Sequence, residues 1–294
     1  MKATLAFTTS RAEPRLDWVL RALEWQCRSD DNDLELIVVD ALGRDPEDIG
    51  LVPCSAITRV VATRPKPSPW QGPQRVTDRD WWAVANARNT AIALASRDYI
   101  AFLDDRCWPG PRWLDTLRHG ERTRASVIAG AYEKSEGDRL VRDHRIGIYP
   151  RGRIGCGGGW LYGCTLALPL EWLLEVNGLE EGCDGLSGED YVLGLMLQNR
   201  GRRIDYVPDL FVRQERSAAH AHHFPRREKG QGPPHSKTHV ALARFGSRSR
   251  TEFTPDLRAL RVHLAAGGAF PDVDPKGDYR DWFDGQPIRE MAPG

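Results

Sequence analysis

The chain has 294 residues, an ordinary globular composition and a formal net charge of +0, so it is long enough for a sizeable core and carries no global field for an acidic or basic partner. Its six Cys include no C-x-x-C pair and no zinc spacing, and no apolar run approaches the length of a membrane span. The start, Met1 to Ser10, is too short in its apolar run for a secretory leader, and a cytoplasmic protein with reduced thiols is expected.

In chain order, Thr4 to Thr8 has strand composition, and Leu16 to Trp25 places apolar residues at 16, 19, 20 and 23, a helical period. Leu34 to Val39 predicts a buried strand ending at Asp40, and Ile57 to Ala62 a third strand. Residues 64–80 are rich in Pro and polar groups and predict a long surface loop, of a length that is often functional. Trp81 and Trp82 at its end serve either as core anchors or as a binding wall.

Val84 to Ala95 predicts a small-residue helix carrying Asn86, Arg88 and Asn89. The apolar run Tyr99 to Leu103 then stops at Asp104 and Asp105, followed by Arg106. An apolar strand buried on both faces puts those carboxylates at its carboxyl end, where open α/β sheets bind ligands. Trp113 to His119 predicts a short helix, Val127 to Tyr132 a strand, and 133–153 a polar loop or hairpin. Gly155 to Gly159 lacks the ending of a phosphate-binding P-loop, and is read as a flexible loop beside a ligand. Trp160 to Leu168 predicts a strand and Leu170 to Val176 a helix.

A Gly-rich loop follows, then Glu189-Asp190 opening a helix that Gly201 stops. Carboxylates in a first helical turn are also favoured by the helix dipole alone. Arg203 to Val207 predicts a strand ended by Pro208, and Thr238 to Phe245 and Pro255 to Leu264 predict helices. Strands alternating with helices predict an α/β sheet, mostly parallel in its first half. Residues 211–265 hold eleven Lys/Arg against four Asp/Glu and six of the eight His.

Asp40, Asp104/Asp105 and Glu189/Asp190 thus lie at strand ends or beside Gly-rich loops. Such carboxylates bind nucleotide hydroxyls, hold a divalent cation on a diphosphate, or deprotonate an acceptor hydroxyl. Those are the tasks of a transferase using a nucleotide-activated donor, whose leaving diphosphate needs positive charge nearby.

Several segments together resemble a family 2 glycosyltransferase of the GT-A fold: Leu5–Thr9, Leu36-Ile-Val-Val-Asp40, the run from Ala87-Arg-Asn to Asp104-Asp105, and Gly178-Leu followed by Gly188-Glu-Asp190 and Gly201. The resemblance implies a Rossmann-like nucleotide-binding mixed sheet flanked by helices over 1–212. Its nucleotide-sugar half would span about 1–108 and its acceptor half about 109–212, with a basic helical and irregular extension over 213–294. Thr8, Thr9, Asp40, Arg88, Asp104, Asp105 and Arg106 would then face a nucleoside-diphosphate sugar, with Asp40 on a base such as uracil. Asp190 would be the catalytic base, Glu189 its neighbour, and Gly158, Gly159 and Trp160 the acceptor side.

Two positions depart from the family pattern. The third position of the DxD motif, often a metal-binding Asp, is Arg106, and Gln214 stands where a metal-binding His is often found. A divalent cation, Mn²⁺ or Mg²⁺, would fall to Asp105, with His220 and His222 as substitute ligands; His220, His222 and His223 read equally as a solvated loop. Arg106 either supplies charge at the diphosphate or pairs with Asp104 or Asp105. The basic extension fits an anionic acceptor, nucleic acid carrying a hydroxylated base or a phosphorylated lipid or saccharide, or else a solvated surface. A non-catalytic nucleotide-sugar-binding protein and a nucleotidyltransferase are the competing readings.

Overall fold

The apolar runs of the first hundred residues become the centre of one sheet in the computed structural model, which describes residues 1–27, 33–68, 83–136, 139–184, 188–215 and 254–273. β1 (Lys2–Thr9), β2 (Asp33–Asp40), β3 (Ile57–Thr63) and β4 (Tyr99–Asp104) are all parallel, in the order β3-β2-β1-β4. β1, β2 and β4 are buried along nearly their whole length, as covered parallel strands require, whereas β3 at the edge is mostly exposed. One charge lies inside this region. Glu35 is fully buried, and its carboxylate accepts from Thr4 Oγ1 and from the backbone and hydroxyl of Ser96, with Arg59 as its ion-pair partner.

Helix α1 (Leu16–Gln26) covers one face through Leu16, Val19, Leu20 and Leu23. Each buried Leu contributes roughly 1.5–3 kcal/mol, against a few tenths for a surface pair such as Arg21–Asp17, so the apolar stripe holds this helix. Helix α2 (Val84–Leu94) covers the other face and is buried nearly all round. Its N-terminal amides at Ala85 and Asn86 are capped from afar by Asp184, at 2.7 and 3.1 Å.

The second half is mixed. β5 (Cys107–Pro109), α3 (Trp113–Thr123), β6 (Val127–Glu136), β7 (Arg139–Arg142), α4 (His144–Ile148), β8 (Arg153–Cys156), β9 (Thr165–Pro169), α5 (Leu170–Glu175), α6 (Glu189–Asn199) and β10 (Ile204–Glu215) complete the main body. The path continues β4-β9-β6-β10-β5, with β9 antiparallel to both neighbours and β10 parallel to β6. The polar stretch from Glu133 is a hairpin, with Glu133 opposite Arg142.

Two predicted elements differ. The strand expected over Trp160 to Leu168 is limited to β9, because Gly158–Trp160 form a 3-10 turn packed on α6. The strand expected to end at Pro208 runs on to Glu215. Proline cannot donate to a ladder, so the register shifts between Tyr206 and Phe211 and pairing then resumes.

Of the basic extension, α7 (Leu257–Ala265) is described. Leu257 and Leu260 join the core beside α2, and Arg261 donates to the carbonyls of Ile92 and Ala95 at 2.6 Å, satisfying the end of α2. Trp81, Trp82, the three His at 220, 222 and 223, and the helix expected over 238–245 lie outside the described residues. Among the described residues no helix is long and apolar enough to cross a membrane.

Candidate active site

Asp104 ends β4, and Glu189 and Asp190 open α6, 85 positions later. What joins them is Arg88, in the middle of α2. Its guanidinium donates to Asp104 Oδ1 at 2.8 Å, to Glu189 Oε1 at 2.9 Å and to the Gly163 carbonyl at 2.9 Å. The approach is made possible by Gly163, where a Cβ would stand 2.5 Å from Arg88 Nη1. The Gly163 amide in turn donates to Asp190 Oδ2 at 2.8 Å. One short turn thereby orients both the arginine and the aspartate.

Asn89, one residue on, fixes how α6 comes to lie here. Its side chain exchanges two 2.8 Å hydrogen bonds with the backbone of Leu179 and donates to Glu181 at 2.9 Å, clamping the segment that leads into α6. Lys66 pairs with the same Glu181 at 2.5 Å. The Ala-Arg-Asn run is therefore a double device, with Arg88 gathering carboxylates and Asn89 gathering chain.

The cluster of three carboxylates around one guanidinium is acidic. Burial works against the charge of Arg88, but Asp104, Glu189 and Asp190 outweigh it and raise its pKa. Burial first, and then the charge of Asp190, push Glu189 up to about 7, with Arg88 opposing. Ionising a carboxyl whose folded pKa is raised costs stability, and that cost grows as pH rises from the ordinary carboxyl range through about 7. Glu189→Gln is therefore expected to gain about 2–3 kcal/mol relative to the parent between pH 4.5 and 8, read by denaturant melts across that range. A stability difference that does not change with pH would contradict the buried, proton-holding Glu189.

Asp104, Asp105 and Arg106 are consecutive, yet they point to three different places. Asp105 is fully buried, accepting from Thr9 Oγ1 at 2.8 Å and Arg11 Nε at 2.7 Å. Burial raises its pKa, and Arg11 and Thr9 work the other way. With both oxygens taken by the turn after β1, Asp105 does not fit the metal-ligand role expected of it and instead anchors that turn. Arg106 has the left-handed φ of 55° and turns away from both aspartates. Its guanidinium donates to the Glu13 carbonyl at 2.8 Å and to Glu215 at 2.9 Å, and lies 5.3 Å from the Trp18 ring centroid. It therefore pairs with neither Asp104 nor Asp105.

Asp40 sits at the end of β2 as expected but is 1% exposed. Its oxygens accept from the amides of Leu42 and Arg44 and from the Arg44 guanidinium at 2.9 and 3.0 Å. Contact with a base would require Arg44 to withdraw. Thr8 Oγ1 is buried beside this end of the sheet without a hydrogen-bond partner. On the other side, Gly158 packs against the backbone of Gly194 and Gly159 against the Tyr191 ring, both on α6. Trp160 is half-buried between Tyr149 and Tyr206, at 5.4 and 5.8 Å between ring centroids.

Gln214, on β10, reaches toward Asp104, with Nε2 at 3.4 Å from Oδ2. Its Oε1 is buried and has no hydrogen-bond partner. Carboxylate and amide oxygens are hard donors suited to Mg²⁺ or Mn²⁺, but it is Nε2 of Gln214 that faces Asp104, so Oε1 would have to turn toward the carboxylate for the two to share a cation, with the remaining ligands left to phosphate and water. Among the described residues no group of three or more His, Cys, Asp or Glu is placed to hold a metal.

Residues 72–170, which carry α2, β4, the Asp104-Asp105 pair and Gly163, match the model of Glycosyl transferase family 2. That segment is similar to family 2 glycosyltransferases. The chain's sheet and flanking helices have the GT-A architecture, similar to the structure of S. aureus TarS 1-349 in complex with UDP-GlcNAc, with a TM-score of 0.53 and 14% identity. That likeness covers 82% of this chain and 64% of that one. GalNAc-T7 with UDP, GalNAc and Mn2+ is similar at a TM-score of 0.53 and 12% identity, over 83% of this chain and 48% of that one. At these identities the likeness is one of fold, and the chain spans under two thirds of the length of each of these structures. No curated protein matches the chain in sequence.

The resemblance anticipated Arg88, Asp104, Glu189 and Asp190, and the structure brings these four together. It did not anticipate Gly163 or Arg11. Neither carries a local signal: Gly163 is one glycine among many, and Arg11 is one charge in a polar turn. Their roles exist only because distant segments meet them.

Proposed function

We propose that the chain transfers a sugar from a nucleoside-diphosphate sugar, a UDP-sugar first among the candidates, to an acceptor hydroxyl with inversion. The observation that supports this reading most is the Arg88 junction, which brings the carboxylate at the end of β4 to the two that open α6. A strand-end carboxylate facing a donor and a helix-borne carboxylate facing an acceptor is the arrangement that single displacement needs. The TarS structure holds UDP-GlcNAc and the GalNAc-T7 structure UDP and GalNAc on this fold.

In the proposed step, an oxygen of Asp190 takes the acceptor proton while the acceptor oxygen bonds to the anomeric carbon. The bond from that carbon to the diphosphate oxygen breaks, and its electron pair leaves with the nucleoside diphosphate. The Gly163 amide holds Asp190 in place through Oδ2. Arg88 prevents Asp104 and Glu189 from repelling each other across the site. Glu189, pushed up to about 7, is protonated in much of the population at neutral pH and lightens the negative charge beside the donor. Asp104 Oδ2 and Gln214 Oε1 would hold a divalent cation, which when bound neutralises diphosphate charge.

The proposed organisation is a catalytic domain that runs past 212 to the end of β10 at Glu215, followed by a basic extension that favours an anionic acceptor. Incubation with UDP-, GDP- and TDP-sugars, with and without Mn²⁺, tests the donor reading through release of nucleoside diphosphate. Turnover of one donor class is expected. A folded protein that neither binds nor hydrolyses any of them would refute it.

A further inference from the structure

A departing nucleoside diphosphate leaves negative charge beside Asp104, and a cation must receive it. Most cations near the carboxyl ends of β1, β2 and β4 are already engaged. Arg88 is held by Asp104 and Glu189, Arg11 by Asp105, Arg44 by Asp40, and Arg106 by Glu215. Lys66 is held by Glu181. Each of these charges is largely cancelled by a carboxylate.

Lys134 is different. It lies on β6 in register with Gln214 of β10, and Gln214 is in register with Cys107 of β5. Residues paired across a sheet share a face, so Lys134, Gln214 and Cys107 stand side by side on the face from which Gln214 reaches Asp104. The Lys134 ammonium sits 4.3 Å from the centroid of the Tyr132 ring. A ring face holds an ammonium in place without neutralising it. Among the described residues Lys134 forms no ion pair and no side-chain hydrogen bond.

Its charge is felt at the site. Burial raises the thiol pKa of Cys164 and of Cys107, and Lys134 opposes the rise at both. These two cysteines border Asp104: the Cys164 carbonyl accepts from the Asp104 amide at 3.3 Å, and Cys107 follows Arg106 in the chain. A chain of contacts runs from Asp190 through Gly163, Arg88 and Asp104 to Gln214, with Lys134 beside its last member. The base and this lysine thus stand at the two ends of that chain of contacts.

We propose that Lys134 is the residue that binds the diphosphate of the donor, in the position expected for Arg106, with its ammonium donating to a phosphate oxygen next to Asp104. This rests on the sugar-transfer reading and adds the group that receives its leaving charge.

Calorimetric titration of the full chain with UDP and with uridine tests it, with GDP and TDP and their nucleosides alongside. The titrations are run in EDTA so that no divalent cation contributes. For Lys134→Gln, affinity for the nucleoside diphosphate is expected to fall about ten-fold, with nucleoside affinity unchanged. Lys134→Arg is expected to recover most of the loss, since it restores the charge. Unchanged UDP binding by Lys134→Gln overturns the inference and leaves the sugar-transfer reading standing. Equal losses for UDP and uridine also overturn it, since they indicate a structural role. If the folded parent protein binds no nucleoside diphosphate either in EDTA or in a parallel titration with Mn²⁺, the sugar-transfer reading falls first and this inference with it; binding only with Mn²⁺ overturns this inference alone.

Discussion

Asp190→Asn is expected to lower sugar transfer by about 10²–10⁴-fold while donor affinity stays within a factor of about two. The substitution keeps an oxygen that can accept from the Gly163 amide but turns its NH2 toward the Tyr191 amide that Asp190 Oδ1 accepts from, so a denaturant melt accompanies the assay to separate lost stability from lost chemistry. What is lost is the ability to take a proton. The measurement is kcat and KM for transfer, together with slow hydrolysis of the donor by water, which a base also assists. A variant that transfers sugar as fast as the parent would remove Asp190 from the mechanism. A parent protein that binds the donor but neither transfers nor hydrolyses it would support a binding protein on the same fold.

The second large effect is expected at Arg88. Arg88→Met should destabilise the chain by about 3–5 kcal/mol and abolish transfer, because it leaves Asp104 and Glu189 facing each other without a counter-charge. Arg88 is 3% exposed and its two partners are largely buried, so water cannot take over its role. Urea melts at two pH values give a specific signature. As pH falls through about 7 Glu189 takes up a proton, all the more readily once Arg88 no longer holds its pKa down, so one of the two bereaved charges disappears and the destabilisation shrinks. Arg88→Lys keeps the charge but cannot reach Asp104, Glu189 and the Gly163 carbonyl at once, so partial stability with little activity is expected. Wild-type stability in Arg88→Met would show that the junction is not a structural centre.

Much of the first half was legible because its signals are local. Buried parallel strands are short apolar runs, and the periodicity of α1 and the small residues of α2 are read within a dozen positions. The second half is less legible because its elements depend on distant partners. Trp160 to Leu168 is apolar enough for a strand throughout, but whether it lies in the sheet depends on α6, which meets the Gly158 backbone and holds that part in a turn. Pro208 is a strand breaker by itself, and only the partner strand β6 shows that pairing resumes beyond it.

At the site, the sequence by itself determined the placing of carboxylates: Asp40 and Asp104 at strand ends, Glu189 and Asp190 at the opening of a helix. Those positions follow from chain-local geometry. The tertiary structure alone decided which cation each carboxylate meets. Arg88 and Glu189 are 101 positions apart, Arg11 and Asp105 are 94 apart, and Arg106 and Glu215 are 109 apart. Arg106 shows why adjacency misleads. It follows two aspartates directly, but a left-handed φ turns its side chain toward Glu215 and Trp18. An ion pair depends on a few ångströms in space, and neighbours in sequence meet that condition only when the backbone between them directs their side chains to the same place.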